Sequence, residues 1–270
     1  MSTFLEKSIT AIENNDPSWT AIDLWGDHIG EAFASSVSDA LKVNTTLTTI
    51  LLWNNNIGDG GAAFIAEALK VNRTLTTIDL EGSNIGVAGA SSIAEALKVN
   101  RNITTVDLKN NNIGDAGATS IAEALKINRT LTTIDLEGSF IGDAGAAFIA
   151  EALKVNKTLT TIDLDDNEIG AAGASSIAEA LKVNTTITTI NLEGNHIGAV
   201  GVASIAEAIR VNPISLVPFT PSQRLAVLVA RKPKNSPLRR LPVDVIRRIL
   251  LCYHVNERIR IWYRYIMGTL

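Results

Sequence analysis

The chain has 270 residues, and 46% of them are apolar, which is enough to bury a substantial core. It holds no run of about 18 uninterrupted apolar residues, and its start, MSTFLEKSITAIENND, lacks the basic and apolar stretches of a signal peptide. We therefore expect neither export nor membrane insertion, and a cytoplasmic location. The single cysteine, Cys252, excludes an internal disulfide and a multi-cysteine zinc site.

The formal net charge of −4 is the sum of two oppositely charged regions. Residues 1–211 carry 13 Lys and Arg against 26 Asp and Glu, a net charge of −13. Residues 212–270 carry 11 against 2, a net charge of +9. Such asymmetry indicates either that the two regions attract each other or that they face different partners.

The first 18 residues predict an N-terminal capping half-unit. Their stretch SITAIENN stands where a helix would cover the edge of the first strand. From there the sequence repeats every 28 residues without an insertion, over residues 19–214. The seven units begin at Trp19, Leu47, Leu75, Ile103, Leu131, Leu159 and Ile187.

Each unit predicts one strand followed by one helix. Its sequence approximates LTTIDLxxNxIGxxGAxxIAEALKxNxT, in which apolar residues alternate at first and then recur at helical spacing. In the second unit, the predicted inward set is Leu47, Ile50, Leu52 and Ile57, and the predicted apolar helix stripe is Phe64, Ile65, Ala68 and Leu69. One unit cannot bury its apolar face alone, so we expect the copies to stack.

The start of each unit, LxxLxLxxNxL, resembles the ribonuclease-inhibitor-like class of leucine-rich repeats, including the repeat regions of NOD-like receptors. This resemblance covers about 196 residues. It implies an α/β fold, a right-handed solenoid arc with a parallel sheet inside and helices outside. It also implies protein recognition by the concave face.

In the leucine-rich pattern, an asparagine after the strand hydrogen-bonds to neighbouring backbone inside the turn. This ninth position of the units carries Asp27, Asn55, Ser83, Asn111, Ser139, Asn167 and Asn195. Because serine is shorter than asparagine, we expect weaker bonds in the two serine units.

Two columns of the predicted strands face away from the core. Position 5 of the units carries Asp23, Leu51, Asp79, Asp107, Asp135, Asp163 and Asn191. Position 7 carries Trp25, Trp53, Glu81, Lys109, Glu137, Asp165 and Glu193. We expect the aspartates to be exposed and mildly destabilising, since neighbouring strands lie only about 4.8 Å apart.

These columns predict an acidic concave trough that binds a basic protein surface. Trp25 and Trp53 would serve as apolar anchors. Phe140 stands in a variable loop column and would lie at the centre of the site. The alternative interpretation is that recent duplication copied one harmless exposed aspartate into successive units.

The sequence contains no catalytic constellation. His28 and His196 lie six units apart, and Cys252 and His254 would point to different sides of a helix. The stretch GDGG at 58–61 lacks the lysine of a phosphate-binding loop, and strand-borne carboxylates lack the wrapping loop of a calcium site. We therefore predict a non-enzymatic monomer without cofactor, metal, nucleic-acid or membrane partners.

The repeat pattern stops at VNPISLVPFTPSQ, where prolines interrupt it, and residues 215–270 predict a basic helical C-terminal segment. Within this segment, LPVDVIRRIL at 241–250 resembles the opening of an F-box, the helical motif that docks onto the adaptor subunit of SCF-type ubiquitin ligases. The residues that carry the resemblance are Leu241, Pro242, Ile246, Ile249 and Leu250.

Two interpretations of the C-terminal segment stay open. Its helices cap the open end of the solenoid, or they recruit ubiquitylation machinery to a substrate that the solenoid selects. In the second case the chain would be a ligase adaptor, and a bacterial effector acting in a host cytosol would look the same.

Overall fold

The structure, a computed structural model, describes residues 3–26, 30–212 and 215–216. Over these ranges helices and strands alternate. The helices are α1 (Thr3–Glu13), α2 (Gly30–Val43), α3 (Gly58–Val71), α4 (Val87–Val99), α5 (Gly114–Ile127), α6 (Asp143–Val155), α7 (Ala171–Val183) and α8 (Gly198–Val211). The strands are β1 (Ala21–Asp23), β2 (Thr49–Leu51), β3 (Thr77–Asp79), β4 (Thr105–Asp107), β5 (Thr133–Asp135), β6 (Thr161–Asp163), β7 (Thr189–Asn191) and β8 (Ser215–Leu216).

The described strands form one parallel sheet in chain order from β1 to β8. From β1 to β7, each strand residue pairs with the residue 28 positions later, as Asp79 does with Asp107. The last pairing differs, since Thr189 pairs with Ser215. This topology confirms the predicted α/β leucine-rich-repeat solenoid, and its register turns each sequence column into a physical row of side chains.

The core lies between the sheet and the helices. The predicted inward residues of the second unit, from Leu47 to Ile57, are at most 1% exposed, as are Ile65, Ala68 and Leu69. The prediction for Phe64 was wrong, because this side chain is 39% exposed. Phe64 lies on the flank of the helix, one residue before the buried Ile65, and most other units carry serine at this position.

An asparagine follows every helix from α2 to α8, and it is buried after α2 to α7 and half-buried after α8. The set is Asn44, Asn72, Asn100, Asn128, Asn156, Asn184 and Asn212. In the middle of the solenoid, Asn128 Nδ2 donates to the Leu97 carbonyl of the preceding unit at 2.7 Å. Its Oδ1 accepts the N–H groups of Thr130 at 2.8 Å and Leu131 at 2.7 Å. One side chain therefore satisfies backbone groups of three consecutive units, a role that the repeat pattern alone did not reveal.

The same ladder reaches the N-terminal helix. Asn44 Nδ2 donates to the Ile12 carbonyl at 2.7 Å, and Ile12 is buried in the core. Asn15 Oδ1 also accepts the N–H of Thr45. Helix α1 is thus bonded to the first unit in the way that the units are bonded to one another.

The predicted hydrogen bonds inside the turns are confirmed at the described positions. Asn111 Nδ2 donates to the Leu80 carbonyl at 2.9 Å, and the equivalent bonds of the other described asparagines measure 2.7–2.9 Å. The serine bonds are longer, at 3.1 Å for Ser83 and 3.4 Å for Ser139, in line with the expected weakening. Asp27, which holds this position in the first unit, lies outside the described residues.

An aspartate of one unit caps the helix of the next unit in three places. Asp59 Oδ1 accepts the N–H groups of Gly86 at 2.7 Å and Gly89 at 2.8 Å, at the start of α4. Asp115 and Asp143 do the same for α6 and α7. Side-chain oxygens in this position satisfy the unpaired donors of a helix start. The aspartate of the GDGG stretch is therefore structural.

None of the helices in the described part of the chain is long and apolar enough to span a membrane.

We predict that Asn128→Ala lowers the free energy of unfolding by roughly 3–5 kcal/mol, because it leaves several buried backbone groups without partners. Urea denaturation followed by circular dichroism measures this change. The matched control is Asn112→Ala, since Asn112 is exposed and its loss should change stability by at most about 0.5 kcal/mol. Equal effects of the two substitutions would contradict a special role for the buried ladder.

Candidate interaction surface

The acidic row on the sheet consists of Asp79, Asp107, Asp135 and Asp163, which end strands β3 to β6. In each of these strands the middle residue is buried, so the residues on either side of it face the open side of the sheet. The register pairs the four aspartates directly across neighbouring strands. The structure thus forms the predicted row.

These aspartates were expected to be exposed, and the structure shows all four to be only partly accessible. Each carboxylate folds back onto the backbone that follows its strand. Asp107 Oδ1 accepts the N–H of Lys109 at 2.9 Å, and the carboxylates of Asp79, Asp135 and Asp163 make the same bond at the same distance. The aspartate therefore satisfies a backbone donor where the strand ends.

The seventh unit shows that this hydrogen bond does not need a charge. Asn191 occupies the same position, and its Oδ1 accepts the N–H of Glu193 at 3.0 Å. Its Nδ2 also donates to Asp163 Oδ2 at 3.1 Å. The hydrogen bond at position 5 therefore needs an acceptor but no charge, and the negative charge is an additional property of the row.

Burial and neighbouring charges make the row hard to ionise. Burial, followed by repulsion from Asp135, Asp79 and Glu81, raises the pKa of Asp107 from the ordinary 3.8 to about 7. Burial and repulsion from Asp163 and Glu137 raise the pKa of Asp135 to about 6. The pKa of Asp79 is raised as well, again mainly by burial. The charge of the trough therefore changes near neutral pH.

Position 7 adds further carboxylates beside this row. Lys109 is the cation of this column, and its Nζ lies 2.9 Å from a carboxylate oxygen of Glu137 on the next unit. The hydrogen bond to Glu137 raises the pKa of Lys109. Glu81 Oε1 accepts a hydrogen bond from the Asn110 amide at 3.1 Å. The cation within the trough is thus paired inside the trough.

The helix surfaces neutralise their own charges. Glu67 and Lys70, three residues apart on α3, form an ion pair with their charged atoms 2.5 Å apart. Equivalent Glu–Lys pairs form in each of α4 to α7. Exposed pairs of this kind contribute little stability. On the concave face, by contrast, acidic side chains outnumber basic ones.

The two predicted tryptophan anchors stack on each other. The ring centroids of Trp25 and Trp53 are 4.6 Å apart and their planes differ by 18°. Trp25 is 55% exposed, and Trp53 is partly buried. The pair follows strands β1 and β2, so it lies at the N-terminal end of the acidic row and presents an aromatic face there.

Phe140 lies on the loop after β5, and it is 57% exposed with a φ of 57°. The equivalent Asn56 and Asn84 have similar φ values, which asparagine tolerates better than phenylalanine does. A residue with a bulky apolar side chain thus adopts an unfavourable backbone conformation, and its side chain is exposed to solvent. Its central role in binding stays a prediction, as does the binding role of the other predicted site residues.

Two groups of three carboxylates come close enough to share a cation, in a chain whose sequence predicts no metal site. They are Asp79 with Glu81 and Asp107, and Asp135 with Glu137 and Asp163, and one oxygen of each residue lies within 4.8 Å of the others in its group. One oxygen of every aspartate already accepts a backbone hydrogen bond. We infer from these groups only that negative charge is concentrated at the surface.

The fold and this surface define a solenoid repeat protein with a parallel sheet along its concave face. The chain belongs to the leucine-rich repeat family, since the family model described as "Leucine Rich repeat" matches residues 43–66, 71–94, 99–122, 128–150, 155–178 and 183–206. Together these matches cover more than half of the chain. The narrower ribonuclease-inhibitor-like class stays a prediction.

No curated protein sequence matches the chain significantly. Among solved structures, the chain is similar to "Leiomodin-1 Actin-Binding Site 2 (ABS2)", with 20% identity, 79% of this chain and 91% of that chain covered, and a TM-score of 0.40. It is also similar to the tropomodulin C-terminal domain of Caenorhabditis elegans, with 10% identity, coverages of 78% and 94%, and a TM-score of 0.39. Similarity at this level gives no guide to a partner.

We predict that Asp107→Asn raises the free energy of unfolding at pH 8 by about 1–2 kcal/mol, since one pKa unit corresponds to about 1.4 kcal/mol and solvent screens part of the shift. The folded chain holds the Asp107 proton more tightly than the unfolded chain does. That stabilisation is complete below about pH 4 and is lost as the pH rises through the folded-state pKa of about 7. The advantage of the variant should therefore shrink towards pH 5, as measured by urea denaturation at both pH values.

Two further substitutions are matched controls for this prediction. Asp107→Ala removes the acceptor of the Lys109 N–H and should be about 1 kcal/mol less stable than Asp107→Asn at every pH. Asn191→Asp adds a charge beside Asp163 and should lower stability at pH 8. A stability of Asp107→Asn that is equal to wild type at pH 8 would show that the ionised row does not strain the fold.

Proposed function

We propose that the chain is a non-enzymatic protein-recognition scaffold that binds a basic protein surface on its acidic concave face. Membership of the leucine-rich repeat family supports the role of protein-interaction scaffold. The proposal of a basic partner rests on one observation, the row of four aspartates in direct register, flanked by the carboxylates of position 7. The cation there, Lys109, is paired with Glu137.

Duplication alone explains part of this pattern. It accounts for an aspartate at position 5 in successive units, where each carboxylate accepts a backbone hydrogen bond. It does not account for position 7, where the third to seventh units carry Glu81, Lys109, Glu137, Asp165 and Glu193. These side chains differ from unit to unit and yet four of the five are acidic, which favours a surface that is used for binding.

The stacked tryptophans add a second requirement on the partner. An aromatic face beside carboxylates suits an apolar side chain or a guanidinium group, which stacks on tryptophan. We therefore propose that the partner presents several Lys or Arg side chains with an apolar or arginine residue at one end. Arginine fits this face best, because its planar head pairs with carboxylates through two hydrogen bonds.

We predict that a variant with Asn in place of Asp79, Asp107, Asp135 and Asp163 binds the partner about tenfold more weakly or worse, because it loses four charges and keeps the backbone hydrogen bonds. Partners are captured from cell lysate on immobilised wild-type chain, identified, and then measured in purified form by calorimetry. The control replaces Glu67, Glu95, Glu123 and Glu151 with Gln, which removes the same charge from the helix surface. Equal affinity of both variants would remove the trough from the binding site.

The pH and salt responses should agree with this picture. Wild-type affinity should rise from pH 6 to pH 8 as Asp107 and Asp135 ionise, and the four-Asn variant should lose this rise. Affinity should also fall with salt, since exposed charges are screened beyond about 10 Å at 0.1 M. A complex that is insensitive to salt and pH would point instead to Trp25, Trp53 and Phe140.

The resemblance of 241–250 to an F-box opening supports a second candidate function, a substrate-recognition adaptor of an SCF-type ubiquitin ligase. Its matching residues, from Leu241 to Leu250, lie outside the described residues. In this proposal the concave face selects the substrate, and the C-terminal segment recruits the ligase.

We predict for this candidate that the full chain captures the purified adaptor subunit and that Leu241→Ala with Pro242→Ala abolishes the capture. The four-Asn trough variant is the control, because it should bind the adaptor as well as wild type does. Failure of the intact chain to bind the adaptor would reject this candidate and leave the scaffold proposal untouched.

A further inference from the structure

We propose that the chain's own residues 217–270, here named the basic segment, occupy the acidic trough and compete there with the protein partner. This inference rests on the proposed function of the trough. It adds an occupant of that surface from the same chain.

The charges of the two parts are complementary. Positions 5 and 7 of the seven units carry nine carboxylates and one lysine, Lys109, a formal net charge of −8. The basic segment carries 11 Lys and Arg against 2 Asp and Glu, a net charge of +9. The lysines of α2 to α7 already pair with acids three residues earlier on their own helices. Within the described residues, the trough is therefore the surface with the largest unbalanced charge.

The place where the chain leaves the sheet allows this docking. Strand β8 pairs in parallel with β7, so residue 216 lies in the sheet itself, at the last strand of the trough. The far end, at β1, is seven strand spacings away, or about 34 Å. Even a fully helical segment of 54 residues would span about 80 Å. The segment can therefore reach every unit.

The chemistry of the segment also fits the two parts of the trough. Its stretch VIRRILL places Arg247 and Arg248 among apolar residues. Arginines suit the carboxylates of the trough, and apolar side chains suit the exposed ring of Trp25. A tethered ligand acts at an effective concentration in the millimolar range, so even weak docking would hold back a partner.

The single cysteine provides the test. In NMR spectra of the isotope-labelled full chain, a nitroxide label on Cys252 should broaden the backbone amide signals of β3 to β7. The reference is the spectrum of the same protein after the nitroxide has been reduced. The broadening should fall sharply at about 0.5 M salt and in the four-Asn trough variant. It should persist in the variant with Gln at Glu67, Glu95, Glu123 and Glu151, which carries the same change of charge on the helix surface.

Three results would overturn the proposal. Broadening confined to α8 and the β7–β8 end would show that the segment caps the solenoid instead. Absence of broadening from the described residues would show a segment that is free of the trough. In a mixture of spin-labelled chain without isotopes and isotope-labelled chain without the nitroxide, broadening as strong as in the doubly labelled chain would assign the contact to a second copy.

A binding measurement separates this inference from the function on which it rests. Replacing Arg247 and Arg248 with Glu should strengthen partner binding roughly tenfold, because the competitor is weakened. If the label shows docking but the trough variant binds its partners normally, the inference stands and the proposed function fails. If the trough variant loses its partners but the label shows no docking, the function stands and the inference fails.

Discussion

The hydrogen bonds of the buried asparagines after helices α2 to α7 are the interaction on which the rest of the solenoid depends. The chain turns there from helix to strand inside the protein, where backbone donors and acceptors without partners would each cost about 1–3 kcal/mol. Asn100 meets this demand for two units at once, because its Nδ2 donates to the Leu69 carbonyl and its Oδ1 accepts the N–H of Ile103. The stacking of units is thus tied to the satisfaction of their own backbone.

The asparagine hydrogen bonds between units fix the register of the sheet, and this register creates the acidic row on its surface. Every strand from β1 to β7 is offset from the next by one whole unit, so chemically equivalent side chains stand directly beside each other. A charge that would be harmless in one unit is repeated at strand spacing and becomes a row. The raised pKa of Asp107, with neighbours on both sides, is the consequence of that repetition.

The backbone hydrogen bond and the negative charge of the aspartates are separable in this molecule. The fold uses one oxygen of each aspartate as a backbone acceptor, and Asn191 does the same without a charge. The ionised row opposes stability near neutral pH, so the charge is a cost that the fold itself does not require. Surfaces that keep unfavourable charge in this way are typical of binding sites.

The sequence by itself determined the unit length, the order of strand and helix, and nearly all of the core. Burial imposes a period of two on strands and 3.6 on helices, and both periods can be read within 28 residues. The burial of Phe64 was wrongly predicted, because a residue at the flank of an apolar helix stripe has the same sequence spacing whether or not a neighbour covers it.

Only the tertiary structure decided the features that arise between units. The stacking of Trp25 on Trp53, the cap from Asp59 to α4 and the partial burial of Asp107 all join residues about one unit apart. Gly82 shows the same dependence, since a Cβ there would collide with the Asn54 side chain of the unit before. A pattern within one unit records which side chains face inward, but it does not record what the next unit places against them, because that depends on stacking geometry in three dimensions.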